Sequence, residues 1–276
     1  MPSFMRGASR DSLTAARSRL DTVLAEPGAA APEMVGAELF AVVDVLDAQP
    51  ALRAALTDPS RDAESKTALA AALIRSQVST TTLDVVSAAA ASRWSGVGDL
   101  ATALEDLAVQ AWATAAERRG ALDAVEDDVF RFTQIVAGSP QLRAALTDRV
   151  APVSAKQALV AGLLDGKAAP ESAALASRVV AHPRGHSLED GLGDLEHAVA
   201  ERRRRVTATV VSAVPLSDSQ HARLVAALSS QRGVPVHLNV VVDPEVVGGI
   251  KVTMGDEVVD GTLASRLEDA RRRFAG

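Results

Sequence analysis

The sequence predicts a mainly α-helical protein that ends in a small α/β domain. Two observations indicate the helical part. Apolar residues recur at three- and four-residue steps over much of residues 1–205, and one segment with this pattern occurs twice, 90 residues apart. The third observation is a change after residue 205, where β-branched residues alternate along the chain. We therefore expect an N-terminal helical bundle with an internal duplication, followed by a small C-terminal α/β domain.

Composition excludes several classes of protein. The 276 residues include 35 acidic and 29 basic side chains, and the net charge of -6 lacks the basic excess of a general nucleic-acid binder. The chain has no cysteine, which excludes disulfides, thiolate zinc sites and a cysteine nucleophile. Charged residues interrupt every apolar run before it reaches the length of a membrane span. We expect no nucleic-acid partner and no direct membrane span.

The first 24 residues contain an amphipathic pattern. Four arginines in this segment faintly resemble a transit peptide. The apolar residues, however, recur at helical spacing, so a native helix is the preferred interpretation. These residues are Leu13, Ala16, Leu20 and Leu24.

The internal repeat is the most informative feature of the helical part. Residues 52–58 and 142–148 have the same sequence, Leu-Arg-Ala-Ala-Leu-Thr-Asp, at an offset of 90. The same offset places Phe40 on Phe130, so each copy includes the segment before it. Two copies are too few for a solenoid. We therefore predict that a unit of a helical bundle has been duplicated.

Each copy is predicted to contain several helices. Residues 38–46 and 128–136 have helical spacing, and each of these helices is expected to end before a proline, Pro50 or Pro140. Further segments carry leucine and alanine stripes that are typical of core-facing helices. They are residues 82–94, 100–118, 171–181 and 188–204.

The last 71 residues are predicted to alternate strands and helices. Residues 206–214 form the first strand, and Ser217 and Gln220 form a capping box for a helix that ends near Gly233. Three further strands and a closing helix follow, at residues 236–242, 249–254, 257–260 and 262–274. The predicted domains are residues 1–120, 121–205 and 206–276.

Two glycine-containing segments do not meet the requirements of nucleotide-binding loops. Residues 162–167 have three residues between the glycines where a phosphate loop has four, and Ala168 replaces the metal-binding Ser or Thr. Gly191 and Gly193 lack the third glycine of a dinucleotide fingerprint and follow no predicted strand. We predict no cofactor and no small-molecule substrate.

His182 and His186 are four residues apart, a spacing that can hold a metal on one face of a helix. Pro183 and Gly185 lie between them and make a continuous helix improbable. A polar loop between helices is therefore the preferred interpretation. We predict neither a metal site nor a catalytic residue.

A run of four arginines is the strongest candidate for a partner-binding surface. Arg202, Arg203, Arg204 and Arg205 can dock an acidic partner or anionic lipid headgroups. A solvated helix end, where cations favour the C-terminal dipole, is the preferred interpretation, and it applies equally to the second run at residues 271–273.

Ordered motifs in the tail carry a family resemblance. They are residues 210–217, 242–252 and 255–261, followed by Arg266 and Leu267. Together they resemble the delta subunit of F-type ATP synthase, called the oligomycin-sensitivity-conferring protein in mitochondria. The resemblance extends more loosely back to about residue 121. The first 120 residues exceed the usual plan, as in an elongated form associated with actinobacterial-like chains. The signature residues, expected to define the fold, are Asp243, Pro244, Gly248, Gly249, Ile250, Gly255, Asp260, Gly261, Arg266 and Leu267.

The resemblance implies a non-catalytic stator subunit at the cytoplasmic face of the cell membrane, as a peripheral part of the synthase. Its implied partners are the N-terminal helices of alpha subunits, the beta subunits of the head and the b-type stalk subunit. One hypothesis for the extra N-terminal unit is that it fills space that another subunit fills elsewhere. Three alternatives remain open: a free-standing helical adaptor, an enzyme using the two histidines, and lipid binding through the arginines.

Overall fold

A computed structural model describes residues 5, 7–203, 206–232, 236–243, 248–254 and 257–260. The chain divides after Arg203 into two compact units, here called the helical unit and the C-terminal unit. Among the described residues the helical unit contains eleven helices, and a mainly α fold with a small α/β part is confirmed. The helices are α1 (Ala8–Ala25), α2 (Pro32–Ala48), α3 (Pro50–Thr57), α4 (Ala63–Ile74), α5 (Thr80–Ala91), α6 (Asp99–Arg118), α7 (Leu122–Gly138), α8 (Pro140–Thr147), α9 (Val153–Leu164), α10 (Pro170–Ala181) and α11 (Leu188–Arg203).

Helix bounds confirm the internal duplication. The bounds of α7, α8, α9 and α10 equal those of α2, α3, α4 and α5 plus 90. Packing repeats as well, since α2 packs against α6 as α7 packs against α11, and α4 against α5 as α9 against α10. Helix α6 begins 91 residues after α1 and 89 residues before α11. It therefore ends the first copy and begins the second.

A pair of equivalent carboxylates caps the fifth helix of each copy. Glu38 accepts hydrogen bonds from the Ser79 backbone N–H at 2.9 Å and the Thr82 hydroxyl at 2.5 Å, at the start of α5. Asp128, 90 residues later, accepts from the Ala169 N–H at 2.7 Å and the Ser172 hydroxyl at 3.0 Å, at the start of α10. Free N–H groups at a helix start favour a negative partner.

The main core of the helical unit is continuous across both copies. Apolar side chains of α1 to α6 form one buried cluster that also takes in Val125 and Val129 from α7, Leu175 from α10 and Leu195 and Val199 from α11. A smaller cluster around Phe132 lies within the second copy. The division at residue 120 stays a prediction.

Helix α1 is held by its apolar face, and α2 by a close approach to α6. Leu13, Ala16, Leu20 and Leu24 are all buried, which confirms the first amphipathic helix. Gly36 lets α2 approach α6 closely, because a Cβ there would lie 2.6 Å from the Trp112 ring. No described helix is long and apolar enough to cross a membrane.

The C-terminal unit contains β1 (Val206–Ser212), α12 (Asp218–Arg232), β2 (Val236–Val242), β3 (Ile250–Met254) and β4 (Glu257–Asp260). The sheet order is β2-β1-β3-β4, with β1 parallel to β2 and the other pairs antiparallel. A parallel pair needs a crossover, and α12 supplies it. Buried Val210, Leu228, Val236, Leu238 and Val252 form the core between this helix and the sheet.

Predicted element ends differ slightly from the observed ones. The capping box is confirmed: the Ser217 hydroxyl accepts from the Gln220 N–H at 3.3 Å, and the Gln220 side-chain oxygen accepts from the Ser217 N–H at 2.8 Å. Strand β1 ends two residues earlier than predicted, at Ser212, and α5 ends at Ala91 rather than residue 94. Gly233 and the predicted helix at residues 262–274 lie outside the described residues.

Candidate functional site

The segment between α10 and α11 brings charged side chains against α2 and α6. It lines a cavity of about 160 Å³ that also borders Phe40 and Glu105. The segment is a turn, because Pro183 cannot continue α10 and Arg184 and Gly185 have φ angles of 47° and 84°. This agrees with the predicted loop around the two histidines.

Arg178 is the central cation of this site. Its guanidinium carbon lies 4.6 Å from the centre of the Phe40 ring, an arrangement that attracts the cation to the ring face. Nη1 donates to Asp44 at 2.7 Å and Nε donates to Glu105 at 3.4 Å. One buried arginine of α10 thus contacts both α2 and α6.

Arg184 makes a second link from the turn. It donates to Asp47 on α2 at 2.6 Å and also to Glu105 on α6. Burial alone would lower the pKa of Arg184, but the charges of Glu105 and Asp47 outweigh burial and raise the pKa above its ordinary value. The guanidinium is therefore a fixed charge.

The two histidines lie beside charged side chains of the cavity. His182 Nδ1 lies 3.2 Å from Asp44, and the described residues contain no group of three metal-ligating side chains. Burial lowers the pKa of His182 below its ordinary value, and the neighbouring positive charge of Arg178 lowers it further. His186 also borders the cavity. The charged groups pair mainly with one another, an arrangement suited to fastening helices together.

A second ion-pair cluster joins α1, α6 and α11. Arg17 donates two hydrogen bonds to Asp106, at 2.6 and 2.7 Å, and a weaker one to Glu201 at 3.2 Å. Both side chains of the Arg17 and Asp106 pair are more than 90% buried. Paired, bidentate geometry is what a buried charge requires.

Arg202 belongs to this cluster and not to the surface. It is 4% exposed and pairs with Asp21 and Glu117, each at 2.7 Å. Because this guanidinium has almost no surface for a partner to contact, the finding differs from the expectation of partner binding. Arg203 is exposed and pairs with Asp123 and Glu126 on α7, at 3.0 and 2.9 Å. Arg204 and Arg205 lie outside the described residues.

Several signature residues lie between the end of β2 and the start of β3. Gly248 and Gly249 have φ angles of 66° and 80°, which residues with a Cβ rarely adopt. The Asp243 N–H donates to the Ser212 carbonyl at 2.9 Å and so extends the pairing of β2 with β1. Ile250 begins β3 and packs against the sheet core.

The other signature residues are only partly described. The backbone of Asp260 ends β4. Pro244, Gly255, Gly261, Arg266 and Leu267 lie outside the described residues.

Sequence reasoning missed the arginines that join distant helices through ion pairs. Arg17, Arg178 and Arg184 lie on or beside helices whose charged residues are usually solvated, and their partners are 89, 134 and 137 residues away. The available signal was position: Arg17 lies between Leu13 and Leu20 on the buried side of α1.

Comparison with known proteins gives a consistent result. Residues 108–274 match the family model of the ATP synthase delta (OSCP) subunit. Proteins named ATP synthase subunit delta from Streptomyces coelicolor and Streptomyces griseus are each 50% identical, over 99% of this chain and 99% and 100% of their own lengths. The same-named protein of Kineococcus radiotolerans is 46% identical, over 98% of both chains.

One solved structure also aligns with the chain. It is a chain of the mitochondrial ATP synthase hexamer of Toxoplasma gondii, with 20% identity and a TM-score of 0.29, covering 61% of this chain and 95% of that chain. A TM-score of this size does not establish a common fold.

Proposed function

The chain belongs to the ATP synthase delta (OSCP) subunit family, and on that basis we propose that it is the non-catalytic peripheral-stalk (stator) subunit of a proton-translocating F-type ATP synthase. In this role it links the catalytic alpha/beta head to the b-type stalk. It holds the head against rotation while the central shaft turns during ATP synthesis. The complex then acts at the cytoplasmic face of the cell membrane, with this chain as a peripheral component.

The mechanical demand follows from the work done per proton. One proton that crosses a potential of 100 mV releases about 2.3 kcal/mol. If the head turned with the shaft, this work would drive no chemistry. A stator must therefore remain bound and resist deformation under a load comparable with a domain's stability of about 5–15 kcal/mol. Interfaces of roughly 2,000 Å² or more are expected.

The observation that supports a torque-bearing role is the way the helical unit is tied together. One apolar core runs through both copies of the repeat. At one position Arg178 and Arg184 join α10 and its turn to α2 and α6. At another, Arg17 and Arg202 join α1, α6 and α11. Two of these pairs, Arg17 with Asp106 and Arg202 with Asp21, are buried on both sides. A pair buried in this way fixes one arrangement of the helices, because separating its members is costly in free energy.

We assign the two units different partners. The helical unit offers amphipathic helices for docking with N-terminal helices of alpha subunits, beside the beta subunits of the head. The C-terminal unit, with an open four-stranded sheet, is assigned to the b-type stalk subunit. The extra helices of the first copy enlarge the surface available on the head side.

The test is recovery of the complex from native membranes. Tagged protein is purified in mild detergent and the co-purifying chains are identified by mass spectrometry. Alpha, beta and b-type subunits in fixed ratio are expected. A soluble complex without them would overturn the proposal and leave the free-standing adaptor as the better account.

A further inference from the structure

The repeat leaves one helix face open in the second copy that is covered in the first. Helix α2 carries Phe40, Asp44 and Asp47 on one side, and α10 with its following turn covers them. The offset of 90 places Phe130, Gln134 and Ala137 at the same positions of α7. We refer to these three residues of α7 as the open face.

Exposure shows the difference between the two faces directly. Phe40 is 9% exposed, whereas Phe130 is 52% exposed. Gln134 and Ala137 are exposed as well. A phenyl ring left half in water forgoes a large part of the gain that its burial gives. Phe130 occupies the position that Phe40 has in the first copy, where a neighbouring helix covers the ring. The equivalence indicates that a neighbour of α7 is missing.

The neighbouring helix repeats the same surroundings. Helix α11 packs on α7 as α6 packs on α2. Aligning the buried leucines 100, 104 and 107 with 188, 192 and 195 gives an offset of 88. Thr102 and Glu105, which line the covered cavity beside Phe40, then correspond to Asp190 and Gly193. Both of these α11 residues are exposed.

The covered face shows what kind of neighbour fits. There the neighbour is an α-helix, α10, that lays the Arg178 guanidinium on the Phe40 ring. Leu175, one turn earlier, and Val179 border the same cavity. Among the described residues of the helical unit, no helix follows α11 that could take this role on α7.

Charge favours the same kind of neighbour at the open face. Asp127, one turn before Phe130, and Asp190 on α11 are exposed carboxylates, and the Gln134 side chain carries an amide oxygen that can accept a hydrogen bond. The two cations beside this face, Arg131 and Arg143, already pair with Asp128 and Glu189. The remaining acceptors around the ring therefore attract a further cation more strongly than a neutral side chain.

We propose that the open face of α7 binds an amphipathic α-helix of another polypeptide, which places an arginine or lysine on Phe130 and an aliphatic residue one turn before it. The proposal rests on the repeat geometry and not on the stator role. If the synthase complex is recovered but nothing binds the open face, the open-face proposal is overturned and the stator role is not.

Photo-crosslinking in the full chain tests the contact. The full chain is produced with the photoreactive residue p-benzoylphenylalanine at position 130, and native membranes that contain it are irradiated. The crosslinked segment is then identified by mass spectrometry. The matched control replaces Ile135, which is 53% exposed on the opposite flank of the same helix. The expected product at position 130 is an amphipathic helical segment of another chain with a basic residue within one turn of the crosslink, absent from the position 135 sample.

Variants then test the chemistry, with a synthetic peptide of the crosslinked segment as the probe. Phe130→Tyr should bind as the unchanged chain does, and Phe130→Leu should bind about 2- to 5-fold more weakly, because it keeps the apolar contact and loses the cation–ring attraction. Phe130→Arg should weaken binding by about tenfold or more through like-charge repulsion, whereas Ile135→Arg should not.

Several results would overturn the proposal. They are no crosslink at position 130, a crosslink to lipid, to a second copy of this chain or to its own tail, and a crosslinked segment without a basic residue. Equal binding by Phe130→Arg and the unchanged chain would do the same. Since the side chain at position 130 is exposed, these variants should keep the melting temperature of the unchanged protein.

Discussion

Arg202 and Arg203 are adjacent in the sequence but have very different surroundings. Arg202 is buried and held by Asp21 and Glu117. Burial lowers its pKa, but these two carboxylates outweigh burial and raise the pKa above the ordinary value. We predict that Arg202→Met lowers the free energy of unfolding by about 3 kcal/mol, because it removes the buried cation that pairs with both Asp21 and Glu117. Urea unfolding followed by circular dichroism measures this.

Arg203→Met is the matched control for this prediction. Its pairs with Asp123 and Glu126 are at the surface, and the arginine side chain is 56% exposed. The expected loss is much smaller than that of Arg202→Met, and it should shrink further at high salt. Equal losses for both variants would contradict the assignment of one arginine to the interior and the other to the surface.

His182 should make stability depend on pH in a defined direction. Burial and then the charge of Arg178 lower its pKa below the ordinary value of 6.5, while Asp44, Glu105 and Asp47 act weakly in the opposite direction. The unfolded chain therefore binds a proton at a higher pH than the folded chain does. The stability contributed by neutral His182 is present above pH 6.5 and is lost as pH falls below that value.

The measurement compares His182→Gln with the unchanged protein. Between pH 7.5 and 5.5 the unchanged protein should lose more stability than the variant, because glutamine does not titrate. A partly exposed site limits the size of the difference. A larger loss in the variant would show that folding raises the pKa of His182. That would contradict the lowering of this pKa by burial and by Arg178.

Long-range ion pairs are the part of the site that sequence could not predict. Arg178 pairs with Asp44 across 134 residues, and nothing local distinguishes either from the solvated charges beside it. The run at residues 202–205 suggested a single function because its members are identical in type. The fold separates the first two of them, since α11 turns Arg202 towards α1 and α6.

At the scale of the element, the caps of α5 and α10 are the interactions most specific to the repeat. We predict that Asp128→Ala lowers the free energy of unfolding by about 1.5–3 kcal/mol. The change removes charged acceptors from the Ala169 N–H and the Ser172 hydroxyl. Thermal unfolding of both proteins under the same conditions gives the difference.

Asp127→Ala serves as the control, because Asp127 is the exposed neighbour of Asp128 and caps no helix. Its effect should stay within about 0.5 kcal/mol. If Asp128→Ala proved as mild as Asp127→Ala, the cap would contribute nothing to the second copy.

Elements with strong periodicity or an exact repeat were predictable. The Leu-Arg-Ala-Ala-Leu-Thr-Asp motif gave the offset, and the helix bounds follow it through four helices of each copy. Strands β2 and β4 begin and end where alternation predicts. Element ends were less predictable: α5 stops at Ala91 because Ser92 is extended. The Trp94 side chain then turns back and donates to the Ala89 carbonyl at 2.9 Å.

At the scale of the whole molecule, α6 belongs to both copies of the repeat. A deletion that tests the role of the extra N-terminal residues must therefore keep α6. It packs on α2 in the first copy and on α7, α10 and α11 in the second. Deleting residues 1–120 removes it from both. A chain that begins at Gly96 keeps α6 and removes only the first five helices.

We predict that residues 96–276 retain a cooperatively unfolding helical bundle and that residues 121–276 do not. The longer fragment should be less stable than the full chain, because the leucines of α6 that face α2 become exposed. Far-UV circular dichroism during urea unfolding measures both. Cooperative unfolding of residues 121–276 at the stability of the longer fragment would show that α6 is dispensable to the second copy.

The central claim is that this chain couples the head to the stalk without taking part in catalysis. The most direct measurement is ATP-driven proton pumping and ATP hydrolysis in membranes stripped of this chain, before and after the purified chain is added back. Hydrolysis should continue in stripped membranes while pumping is lost, and added protein should restore pumping. Pumping that persists without the chain, or hydrolysis that stops when only this chain is removed, would contradict it.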